Sequence, residues 1–175
     1  MRKIISVFSA FILFAFVLTG CGQSNIKRAY DDFRIAFPQT WTINTDDAVT
    51  DEDTPFLYVT APSDTVNKSY FYIMYTNRDF IDGLDSINQD FGDSWAAAIS
   101  DSIEITMSCE DVSFHNYGSR KGALVTFTGL SNGLKLTYIE QLVPTADKWY
   151  IFTYLMIDKQ NKSEIDDIIN SVKFN

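Results

Sequence analysis

Apolar and polar positions alternate from Phe33 to Phe37, FRIAF, and the alternation stops at Pro38, which cannot donate to a ladder. This predicts a half-buried strand that opens the folded body, with Trp41 a turn later. Two more strands are predicted at Phe56 to Ala61, FLYVTA, and Ser69 to Asn77, SYFYIMYTN, separated by the turn-rich PSDTVNK. In the second, Tyr70, Tyr72 and Met74 point one way and Phe71, Ile73 and Tyr75 the other, the pattern of a strand covered on both sides. From Leu84 to about Ile103 the period changes. Leu84, Ile87, Phe91, Trp95, Ala98, Ile99 and Ile103 recur at three and four residues, the stripe of an amphipathic helix entered at Gly83 and Asp85. Gly92 weakens its middle by about 1 kcal/mol relative to alanine.

Four closely spaced strands follow: DVSFHNYG, GALVTFTGL, LKLTYIEQLV and KWYIFTYLMI. Asn132-Gly133 between two of them is a hairpin signal, because both residues tolerate positive φ. The last strand sets Trp149, Ile151 and Leu155 on one face and Tyr150, Phe152, Tyr154 and Met156 on the other, so it too is buried twice. The chain closes on SEIDDIINSV, a short helix whose Ser163 can cap the first amides and whose Ile165, Ile168, Ile169 and Val172 form the apolar stripe. Three strands, a long helix, four strands and a short helix make an α+β fold: a mostly antiparallel sheet covered by helices on both faces. Asn44 to Thr54, NTDDAVTDEDT, reads as an acidic surface loop; it lacks the alternating ligands, the glycine and the terminal glutamate of an EF-hand calcium loop.

The first segment has another character. Arg2 and Lys3 precede fifteen residues, Ile4 to Leu18, that are apolar but for two serines, which is signal-peptide anatomy and too short for a spanning helix of about 20 residues. Leu18-Thr19-Gly20-Cys21 resembles the lipobox of bacterial lipoproteins, in which the cysteine thiol receives diacylglycerol and the bond before it is cut. The resemblance implies a signal peptide over 1–20, lipidation at Cys21, and a protein held by its lipid on the outer face of the cell membrane. Residues 21–32, with Lys27 and Arg28, read as a solvated tether whose ten flexible residues have a mean reach of roughly 17 to 19 Å. A single globular domain is expected over 33–175.

Charge narrows the partners. The chain carries 14 basic and 23 acidic side chains, net −9; loss of Arg2 and Lys3 with the signal leaves −11. That argues against nucleic acid, whose affinity rests on lysine and arginine neutralising phosphates. It also argues against a domain or a long helix lying flat on anionic lipid, since Asp85, Asp90, Asp93 and Asp101 make the helix's polar side acidic. The membrane is therefore engaged through the lipid.

Candidate chemistry is sparse. With Cys21 lipidated only Cys109 remains, so no intramolecular disulfide is expected. His115 is the one histidine. On one regular strand the two would share a face about 20 Å apart, too far for a nucleophile and its base. Asp79 with Asp82 and Asp46 with Asp47 are candidate carboxylate pairs for a hydrolase, but acidic pairs are common by composition in so acidic a chain. No cofactor, catalytic residue or metal ligand set is expected.

The order of elements resembles the PsbP-like fold, an α/β/α sandwich found in extrinsic photosystem subunits, a Ran-binding nuclear import factor and many bacterial secreted and lipid-anchored proteins. FRIAFPQTW, GALVTFTG, KWYIFTYLMI and the closing helix into SVKF carry the resemblance, over Phe33 to Phe174. It implies a non-enzymatic module that docks to an envelope protein. Small-ligand binding or sensing, with aromatic side chains lining a pocket, is the alternative.

Overall fold

The structure, a computed structural model, describes residues 25–47, 51–62 and 68–175. The signal peptide, the lipobox and Cys21 lie outside them. In chain order the described residues form β1 (Asn25–Ala29), β2 (Phe33–Pro38), β3 (Thr42–Asp46), β4 (Leu57–Thr60), β5 (Tyr70–Asn77), α1 (Gln89–Ile103), β6 (Met107–Tyr117), β7 (Arg120–Ser131), β8 (Leu134–Pro144), β9 (Lys148–Ile157), α2 (Lys162–Ser171) and β10 (Lys173–Phe174). Seven strands make an antiparallel sheet in the order β3-β4-β5-β9-β8-β7-β6, and three make a smaller one, β1-β2-β10. The α+β class and the covered antiparallel sheet expected from the sequence are both present.

The sandwich follows from the two-sided strands. On one face of the large sheet, Phe71, Ile73, Phe152 and Tyr154 meet Phe33, Ile35 and Phe37 of β2 and the Ile165, Ile168, Ile169 stripe of α2. On the other, Val125, Phe127, Leu142, Trp149 and Ile151 meet Ala96 and Ile99 of α1 and the preceding Ile81 and Ile87. Burying each large side chain in these layers stabilises the fold by roughly 1.5–3 kcal/mol. Asn132 and Gly133 turn the β7–β8 hairpin with φ of 51° and 82°, as their residue types predict.

Several boundaries differ from the sequence reading. The tether over 21–32 becomes a strand from Asn25: β1 pairs antiparallel with β2, and Arg28 Nε lies 2.6 Å from Asp46 Oδ2. Its only large apolar residue is Ile26, so backbone pairing, not hydrophobic alternation, defines it. Asp46 itself ends β3, a short edge strand whose last three residues fall in what reads as an acidic loop, and its one apolar residue is Ile43. The long helix starts at Gln89 instead of Leu84, because Asn88 Oδ1 accepts the Phe91 N–H at 3.0 Å while Leu84–Ser86 closes a separate 3-10 turn. Its buried line is Gly92, Ala96 and Ile99, with Ala98 and Ile103 exposed.

Gly92 explains that rotation. A Cβ there would run into Cys109 Sγ and stand 3.3 Å from Val112 Cγ2, so the glycine that weakens the helix also lets it sit down on β6. At the other helix, Ser163 does not cap α2. Asn161 precedes it in the left-handed region, φ 58°, and donates through Nδ2 to Glu164 Oε2 at 2.7 Å. The two-sided covering of β5 is also incomplete: Phe71 and Ile73 are fully buried, whereas Tyr70, Tyr72 and Met74 are half-buried, Met74 at the margin of the α1 core.

Candidate functional site

With 10 residues, α2 is about 15 Å long and cannot cover the full width of a seven-stranded sheet. Where it stops short, a groove of about 510 Å³ opens between the helix and strands β6, β7 and β8. Leu124, Thr126 and Ile139 form its floor, His115 and Tyr117 one wall, and Lys162, Asp166 and Ile169 of α2 the other.

The Tyr117 wall depends on Gly122. A Cβ at that position would come within 3.0 Å of Tyr117 Cε2 and 2.6 Å of the Leu142 carbonyl oxygen, so only glycine lets the ring lie across β7. Tyr117 is 4% exposed, and its hydroxyl has no hydrogen-bond partner. Burial pushes its pKa upward, holding it as a neutral donor. Beneath the floor, Tyr154 donates to Gln141 Oε1 at 2.9 Å, leaving Gln141 Nε2 also without a partner. At the rim, Lys162 pairs with Asp166 at 2.6 Å, and His115 Nε2 lies 3.2 Å from Ser113 Oγ. The groove offers apolar floor, hydroxyls and a mixed charged rim, a surface suited to holding a partner group.

The opposite face hides a carboxyl that sequence reasoning missed. Glu140 is fully buried under α1, beside Val125 on β7 and Thr153 on β9. Desolvation pushes its pKa from 4.5 up to about 8, and the Trp95 indole N–H pulls weakly the other way. Glu140 Oε2, Trp95 Nε1 and Thr153 Oγ1 all lack hydrogen-bond partners, so these groups stand near one another outside bonding geometry. A signal was available: Glu140-Gln141 is a polar pair inside a strand apolar on both sides, so one of the two must enter each core.

The candidate residues named from sequence are not brought together. Cys109 and His115 do not share a face. A bulge between Cys109 and Asp111 shifts the β6 register, so Cys109 turns toward Gly92 of α1 while His115 looks into the groove. Burial, as the largest cause, pushes the Cys109 thiol pKa up, the reverse of what a nucleophile needs. Asp79 and Asp82 are exposed near the 3-10 turn at Arg78–Phe80, and Asp46 is engaged by Arg28. Among the described residues no three His, Cys, Asp or Glu side chains gather as a metal site, and no helix is long and apolar enough to cross a membrane.

No family model matches the chain, and no curated protein matches it in sequence. Solved structures do. The solution structure of cyanobacterial PsbP (CyanoP) from Synechocystis sp. PCC 6803 superposes with a TM-score of 0.65 at 11% identity, covering 91% of this chain and 99% of that one. A Bacteroides thetaiotaomicron protein matches with a TM-score of 0.50 at 14% identity over 88% of this chain, which spans 49% of that protein. LpqN, described as involved in cell envelope biogenesis of Mycobacterium tuberculosis, matches with a TM-score of 0.49 at 11% identity, covering 90% of this chain and 87% of that one. The fold is PsbP-like.

Proposed function

We propose that this chain is a bacterial lipoprotein, anchored through Cys21 on the extracytoplasmic face of the cell membrane, and that it works there as a non-enzymatic module binding an envelope protein. The groove between α2 and strands β6–β8 carries the reading. It joins an apolar floor to the charged pair Lys162 and Asp166 at its rim, while the groups that could support nucleophilic chemistry point to opposite faces. The anchor fits this role. Four residue steps separate Cys21 from Asn25, so a fully extended connection spans at most about 14 Å, and the body stays close to the bilayer.

Metabolic labelling with a fatty-acid probe tests the anchor: label enters the wild-type chain and is lost in Cys21→Ser, which accumulates as a longer precursor. Equal labelling of both removes the proposal. The groove volume also favours the second reading, a small ligand held in the groove. A ligand that raises the melting temperature of the wild type but not of Asp166→Asn distinguishes it.

A further inference from the structure

Strand edges are sites of uncontrolled pairing, and most edges of this protein are guarded. β3 is five residues long, carries a register shift between Ile43 and Thr45, and is strapped at Asp46 by Arg28 and Tyr30. β1 is five residues with Lys27 and Arg28 in it, and β10 is two residues beside Gly118. β6 differs. It is the outer strand of the large sheet and runs eleven residues.

Its first half is covered: Ser100 Oγ accepts the Met107 N–H at 2.8 Å, and Gln89 Nε2 donates to the Cys109 carbonyl at 3.5 Å, both from α1. Past the bulge, Val112 to Tyr117 pair regularly with β7. At its far end the strand is closed by β10, which bridges to Gly118; from Val112 to Asn116, among the described residues, the backbone is paired with β7 alone. Alternate N–H and C=O groups of an outer strand point away from its neighbour, so this stretch presents a free ladder. Phe114 on it is 43% exposed, and His115 beside it stands at the mouth of the groove.

We infer that the Val112–Asn116 edge of β6 receives an extended segment of a partner protein by strand addition, with alternate side chains of that segment facing the groove mouth at His115. The inference rests on the binding-module reading and specifies how the partner is held. Only an extended backbone matches a row of alternating donors and acceptors spaced as a ladder. A second copy of this chain is disfavoured because each carries a net charge of −9.

The test uses the full chain in detergent and a displayed library of random linear 12-residue peptides. A selected peptide is then N-methylated one residue at a time. Strand addition predicts a tenfold or greater loss of affinity at every second position and little at those between, amide-exchange protection at Val112 to Asn116, and at least fivefold weaker binding to Phe114→Lys with an unchanged melting temperature. A scan without two-residue periodicity, or a footprint confined to the groove, overturns strand addition while leaving the binding-module reading intact. Self-association through β6 overturns the choice of partner. Failure to select any peptide tells against both.

Discussion

Glu140 and Trp95 approach each other across the interface between β8 and α1, and neither Glu140 Oε2 nor the indole N–H finds a hydrogen-bond partner. The Glu140 carboxyl titrates near 8 in the fold and near 4.5 in the unfolded chain. Between those values unfolding releases a proton, so stability is fully present below about pH 4.5 and declines as pH rises toward 8, by up to about 1.4 kcal/mol per pH unit. Glu140→Gln removes this slope. Chemical denaturation should find the variant more stable than wild type by more than 1 kcal/mol at pH 8, on the order of the shift's worth, with the two converging near pH 5. Parallel pH profiles would contradict it.

Gly92 and Cys109 form a second coupled pair. Gly92→Ala adds helix propensity worth about 1 kcal/mol, but overpacks the contact with β6, at a cost of roughly 1–3 kcal/mol. The net effect should be destabilising, and Cys109→Ala should relieve it. A double-mutant cycle with coupling of at least about 0.5 kcal/mol is expected; additivity would mean that the helix does not rest on Cys109.

Phe152 is 0% exposed, with its ring 5.1 Å from that of Phe33 and 6.2 Å from that of Phe174. Truncation to alanine removes one of the aromatic links between the large sheet and the small one. A loss of roughly 3–5 kcal/mol in chemical denaturation is expected. An effect below about 1 kcal/mol would contradict the two-layer core on that side.

What was legible in the sequence depended on what holds each element. β7, β8 and β9 and the stripe of α2 are defined by side-chain burial, and the apolar pattern shows them nearly to the residue. β1 and β3 are defined by backbone pairing at an edge, with Ile26 and Ile43 their only large apolar residues, so no alternation could reveal them. The groove was not legible either, because it arises from the short span of α2 over a wide sheet. The bulge beside Glu110 is the sharpest case: one inserted residue turns Cys109 and His115 to opposite faces, against a prediction made for a regular strand.

That bulge has a chemical consequence. The Cys109 thiol faces α1 and its pKa lies above the ordinary thiol value. Alkylation followed against pH should show a midpoint above that of an ordinary exposed thiol, and His115→Ala should leave it unmoved. A midpoint below that of an ordinary exposed thiol, shifted by His115→Ala, would restore the pair as a nucleophile and its base.

The most direct test of the binding-module account is photo-crosslinking in intact cells from Asn116, which lines the groove. The account predicts a discrete adduct with an envelope protein that disappears in Cys21→Ser, where the anchor is lost, and that does not form from the same probe at Asp85, exposed away from the groove. Identical products from Asn116 and Asp85, or an adduct indifferent to Cys21→Ser, would contradict it.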